Sequence, residues 1–170
     1  ASFRGAMLDG ADFSKADLTH ADFSGAFLQA SSFVASSMTR TNFSRSDLTE
    51  AHISDIQISS YVDFSLAQAS LVTISKSTFP YSMWLGTLLS GAHIDNVQLN
   101  SARFKPEFDV QQGLNLVGCD LDKAVLEGTD LSGVLMDEVS LKHSRLRGLV
   151  ASDALLSGAS FKFADCRGVD

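Results

Sequence analysis

The chain has 170 residues, 45% of them hydrophobic, and a formal net charge of −7 at pH 7. Surplus carboxylates oppose the attraction to phosphate backbones on which nucleic-acid binders rely, and no apolar run reaches the roughly 20 residues of a helical membrane span. No composition break divides the chain, so residues 1–170 read as one unit.

The first elements are pentads. ADFSKADLTHADFSG, residues 11–25, repeats one pattern three times in steps of five. In a helix five residues turn about 500°, which would scatter Phe13, Leu18 and Phe23 around the axis. In a continuous strand the odd step would send them to opposite faces. A chain that turns about 90° after each pentad points every central residue at one axis, and four pentads close a coil of about 20 residues.

This register runs along the whole chain. Centres occur at Phe3, Leu8, Phe13 and every fifth residue to Ile58, and one extra residue near Tyr61 then shifts the frame. Phase resumes at Phe64 and runs through Trp84 to Phe104, where EFDVQQG, residues 107–113, interrupts it. A last stretch runs from Leu116 to Cys166, on the expectation that the interruption replaces one repeat. Among all these centres only Ala69, Ala151 and Cys166 are not large apolar residues. Two residues before the centre stands a small residue, commonly Ala; just before it, Asp or Asn; just after it, Ser or Thr; and two after it, a recurrent Gly. Short polar side chains bond nearby backbone in tight turns, and Gly eases a corner.

The units ADFSK, ADLTH, ADFSG, TNFSR, SDLTE, CDLDK and TDLSG resemble the A(D/N)LXX units of the pentapeptide-repeat family, and the resemblance covers almost the whole chain. It implies an all-β fold, a right-handed quadrilateral parallel β-helix of about eight coils. The family includes topoisomerase-binding DNA mimics and domains of bacterial effectors, so the resemblance implies fold more narrowly than function. Centres one coil apart should stack about 4.8 Å apart, which predicts an aromatic ladder of Phe3, Phe23, Phe43, Phe64, Trp84 and Phe104, with Phe13 and Phe33 on the opposite side.

Little points to chemistry. Serines abound because the turns take them, and no Ser, His and Asp combination stands apart from the repeat, so neither enzymatic activity nor a cofactor is expected. His20, His52, His93 and His143 lack metal-site spacing. Cys119 and Cys166 fall at inward positions about two coils apart, beyond the roughly 7 Å reach of a disulfide. They read as small core residues of a protein in a reducing interior, cytoplasmic or delivered into a host cytosol rather than secreted. Both ends are in phase and show no capping helix, which predicts a domain of a longer chain or end-to-end pairing of copies.

The outward Asp residues fall on all four sides, interrupted by Lys15, Arg40, Arg45, Arg145 and Arg147. More informative are outward positions that are apolar. Tyr81, Met83, Leu85 and Leu88, in PYSMWLGTLL, should make one mid-rod patch; Met7 and Phe27 should stack near the beginning, and Leu135 and Leu155 near the other end. Clustered exposed apolar groups mark partner surfaces, as do loops on rigid scaffolds. The expectation is a non-enzymatic rod that docks a protein partner through Tyr81, Met83, Leu85 and Leu88 and through Glu107, Phe108, Asp109 and Val110, with a patch-mediated dimer as one form of association. On the resemblance it is the docking domain of a larger bacterial effector-type protein. The alternative is a DNA mimic bound by gyrase or another topoisomerase.

Overall fold

The computed structural model describes residues 1–99, 102–104 and 114–170. Each pentad places its five backbone N–H groups in a fixed way, shown by residues 21–25. Ala21 N–H closes a turn on Leu18 O at 2.8 Å, and Asp22 N–H reaches Ala1 O in the coil before at 3.0 Å. Phe23 and Gly25 N–H bond Asn42 O and Ser44 O in the coil after, at 2.7 and 2.9 Å. The remaining donor, Ser24 N–H, is taken by Asp22 Oδ1 at 3.0 Å. The same side-chain bond recurs at Asp12, Asn42, Asp63, Asn115 and Asp120. Where it is missing, a carboxylate of the preceding coil can serve, as Asp9 does for Gln29 N–H and Asp137 for Ser157 N–H. Unpaired buried backbone donors are costly, so the repeat's Asp is a structural residue.

The corner is equally regular. At every corner that is described, the residue two after the centre has φ between 47° and 72°. Glycine takes this conformation freely, whereas Leu, Tyr and Phe, present at Leu66, Tyr81 and Phe163, do so only because the surrounding hydrogen bonds dictate it.

Most sides contact the next coil through single parallel bridges. Three lengthen into strands, β1 (His52–Ser54), β2 (Thr73–Ser75) and β3 (His93–Asp95), parallel and in the order β1-β2-β3. Ile53, Ile74 and Ile94 are in register on this side.

Inside, the aromatic ladder forms as the spacing predicts. Phe3, Phe23, Phe43, Phe64, Trp84 and Phe104 stack with successive centroid distances of 4.7, 5.1, 5.4, 4.2 and 6.2 Å. Phe13 and Phe33 stack opposite at 5.2 Å, and Phe13 meets Phe23 edge-on at 77°. Such offset and edge contacts add to what burial alone contributes. Inward Ser residues turn their hydroxyls to turn carbonyls, as Ser46 does to Phe43 O at 2.7 Å. Trp84 Nε1–H donates to Ser82 Oγ at 2.7 Å.

Three sequence expectations are corrected. The extra residue lies before Ile58, not near Tyr61: Ile56 is buried, Ile58 is 71% exposed, and Ser59 takes the centre. The six-residue unit displaces a carbonyl from the coil contact, and Ser59 Oγ instead accepts Met38 N–H at 3.0 Å. The interruption adds seven residues and replaces no repeat. Leu88, His93 and Gln98 bridge Asn115, Asp120 and Val125, pairs 27 residues apart where the ordinary step is about 20. An addition at a corner keeps four sides per coil; loss of a side would break every contact above it. Cys166 occupies a centre near the end of the described chain and is exposed, whereas Cys119, with a coil on either side, is buried.

Asn42→Ala leaves Ser44 N–H without its acceptor and is expected to lower stability by about 1 kcal/mol in chemical denaturation. Asn42→Asp, which keeps Oδ1, should stay close to the parent.

Candidate interaction surfaces

The four sides can be numbered by their centres in one coil: Phe23 on side 1, Leu28 on side 2, Phe33 on side 3 and Met38 on side 4. Residues just before the centres form outward columns. On side 1, Ser2, Asp22, Asn42, Asp63, Met83 and Arg103 are bridged in series, and Asp130, one pentad after Val125, continues the column and bridges Val150. Side 2 is bridged in series as Met7, Phe27, Asp47, Gln68, Leu88, Asn115, Leu135 and Leu155. Side 3 carries Asp12 and Asp120, and side 4 Asp17 and Asp165. The seven added residues set this grouping: Asp130 shares a side with Asp22 and Asp63, and Asp120 with Asp12. No described column just before the centres holds two carboxylates in succession, although just after the centres Asp95 and Asp122 stand in successive coils on side 3.

These carboxylates are engaged. Hydrogen bonds from the Ser14 and Thr19 side chains and N–H groups hold Asp12 and Asp17 below the usual carboxylate range, and Ser24 does the same for Asp22 with help from Arg4. For Asp47 partial burial pushes upward, but hydrogen bonds from Gln29, at 2.6 Å, and Thr49 outweigh it. Asp122 is likewise lowered against burial by Ser140 and Lys142. Exposed ion pairs link neighbouring coils, including Lys123 with Asp95 at 3.0 Å and Arg145 with Glu127 at 2.9 Å. Among the described residues no His, Cys, Asp and Glu group could hold a metal ion, and no helix is long and apolar enough to cross a membrane. Burial raises the Cys119 thiol far above its ordinary pKa, which makes it a poor nucleophile.

The predicted mid-rod patch is not one surface. Tyr81 stands at the corner between sides 4 and 1, half-buried Met83 on side 1, half-buried Leu85 beside the next corner, and exposed Leu88 on side 2. The chain turns a right angle between Met83 and Leu88, so the four wrap around the rod. Glu107, Phe108, Asp109 and Val110 lie outside the described residues. At the Tyr81 corner the structure adds what sequence reasoning missed. Tyr61, one coil below, stacks on Tyr81 with centroids 5.2 Å apart, and the Arg40 guanidinium lies 5.7 Å from the Tyr61 ring. Exposed Ile58 precedes them. The 20-residue spacing of Tyr61 and Tyr81 was the available signal, obscured by the misplaced frame shift.

The family profile for pentapeptide repeats matches residues 1–33, 112–137 and 135–170, with eight copies. The chain is a pentapeptide-repeat protein. Proteins of this family fold as right-handed quadrilateral β-helices, which gives the hand of the coil. Trypsin-treated QnrB1, a plasmid-mediated fluoroquinolone resistance protein, is similar with a TM-score of 0.54 and 15% identity, over 100% of this chain and 91% of its own. Rfr23 from the cyanobacterium Cyanothece 51142 gives a TM-score of 0.51 and 14% identity, over 73% of this chain and 87% of its own. HetL from the cyanobacterium Nostoc sp. strain PCC 7120 is 21% identical over 99% of this chain and 79% of its own, with a TM-score of 0.35. At these identities the likeness speaks for the fold alone. No curated protein matches the chain.

The lowered carboxylates determine the acid response of the pentapeptide-repeat rod. A depressed folded-state pKa contributes stability above the unfolded value of about 3.9 and loses it as pH falls through the folded value. The thermal midpoint should therefore owe nothing to these groups' titration between about pH 7 and 5 and should drop below about pH 4. Asp47→Asn, which keeps the acceptor and removes the titration, should lessen that drop in circular-dichroism melts.

Proposed function

We propose that the chain is a non-enzymatic recognition rod that docks a protein partner, as the docking domain of a larger bacterial effector-type protein. The observation that carries this reading is the exposed corner at mid-rod, where Arg40, Tyr61 and Tyr81 stack in successive coils beside Ile58 and Met83. Aromatic and Arg side chains dominate the energetic centres of protein interfaces, and the coil-to-coil hydrogen bonds hold these in fixed positions before any partner arrives. Such preorganisation lowers the ordering cost of binding. Tyr81 and Met83 are the centre of the proposed contact, Leu85 and Leu88 extend it around the rod, and Glu107, Phe108, Asp109 and Val110 belong to it through their position in the inserted segment.

The DNA-mimic reading draws on the net charge of −7. A mimic needs carboxylates in phosphate-like succession, whereas here turn bonds engage many of the Asp residues and the bridge columns scatter them over all four sides. Inhibition of gyrase supercoiling by the purified chain would restore that reading over the present one.

Photocrosslinking in producing cells tests the corner. With benzoylphenylalanine in place of Tyr81, one discrete adduct is expected, weakened at least tenfold by Ile58→Asp, about 1.4 kcal/mol. Placed instead at Phe163, exposed on another corner, the same group should give little. Equal yields from the two positions would remove the assignment.

A further inference from the structure

We propose that side 2 is a self-pairing face on which two copies of this chain lie antiparallel about a two-fold axis. Five of the exposed large apolar residues, Met7, Phe27, Leu88, Leu135 and Leu155, stand in its single outward column. They are not spread evenly. Two lie at each end, with polar Asp47, Gln68 and Asn115 about the middle.

That order nearly reads the same from either end. A two-fold axis across the rod at the middle of the column sets it against its own reverse. Met7 then meets Leu155, Phe27 meets Leu135, Asp47 meets Asn115 and Gln68 meets Leu88. Apolar groups cover apolar groups at both ends, and the one carboxylate faces an amide that can donate to it. The residues just after the centres and at the following corner obey the same rule. Asp9 faces Ser157, Asp137 faces Gln29, Glu50 faces Gly118 and Glu138 faces Ala30. No like charges oppose. A parallel pairing, about an axis running along the column, would instead set Asp47 against its own copy, which complementarity disfavours.

The other three sides fail the same operation. Reversed on itself, side 1 sets Asp22 against Asp130 and side 4 sets Asp17 against Asp165. Side 3 brings no like charges together, but its column of Asp, Ser, His and Thr has no apolar residue to bury.

The edges of side 2 also suit close approach. Among the described residues, eight of the eleven glycines at left-handed corners flank it: Gly5, Gly25, Gly86 and Gly133 along one edge and Gly10, Gly91, Gly118 and Gly158 along the other. A Cβ at Gly5, Gly10, Gly25, Gly118 or Gly133 would meet nothing within 4 Å. Their small size therefore answers to no packing within the chain, and elsewhere the same corner accepts Lys, Arg or Tyr. At these glycine positions the edge stands low beside the apolar column, so a partner surface can approach it there.

Charge reversal separates this arrangement from its rivals, read by sedimentation of the 170-residue chain at high micromolar concentration. The parent should sediment as a dimer and Phe27→Glu as a monomer. Phe27→Lys combined with Leu135→Glu should restore the dimer, because each Lys faces a Glu of the other copy; a parallel pairing would set like against like. Both positions point outward, and an unchanged circular-dichroism spectrum shows that each variant folds. Tyr81→Ser, which acts at the docking corner, should leave the dimer intact, so the two readings fail separately. A monomeric parent, a dimer indifferent to Phe27→Glu, or a double variant that stays monomeric would each overturn the proposal.

Discussion

The structure depends on one requirement: in a coil of four short sides, every backbone N–H must find its acceptor in a neighbouring coil or in its own turn. Four of the five donors of a pentad do so through backbone carbonyls. The fifth commonly needs a side chain, and Asp or Asn before the centre supplies it. This explains why the repeat carries a carboxylate at all, and why that carboxylate is held ionised. A negative charge that could be taken for a signal to a partner is, for much of its total, the consequence of closing a turn.

The same requirement makes the rod tolerant in some places and unforgiving in others. Each coil touches only its neighbours, so stability builds up one coil contact after another. An insertion at a corner leaves those contacts intact, as the passage from Leu88 to Asn115 shows. An extra residue within a side shifts them, and the chain then requires a substitute acceptor, which Ser59 provides. The aromatic ladder passes this point without a break, with Phe43 and Phe64 stacked at 5.4 Å.

Because the inside and the corners are dictated, the outward columns hold what freedom the sequence has. Two departures from polarity stand out there: the tyrosine corner at mid-rod and the apolar ends of side 2. Their centres occupy different parts of the circumference, with Leu88 common to the proposed partner contact and to side 2. In the proposed arrangement one copy pairs with another along a side while the tyrosine corner is presented to a different protein, and neither contact disturbs the core.

The five-residue period, the four-sided coil and the aromatic ladder were legible in the sequence, because a centre such as Phe23 or Trp84 follows from local hydrophobic pattern alone. So was the turn chemistry of Asp12 and Asp17. The sequence could not say on which side of the extra residue Ile58 would fall, since the local apolar pattern favours Ile58 as the centre and only the coil below, through Met38 N–H, selects Ser59. Nor could it show that Leu135 shares a side with Phe27. That depends on whether seven residues are added to a coil or stand in for one of its sides, and the choice is made by hydrogen bonds between residues 27 positions apart. Local periodicity determined what each residue does within its pentad; only the stacking of whole coils decided which pentads lie above one another.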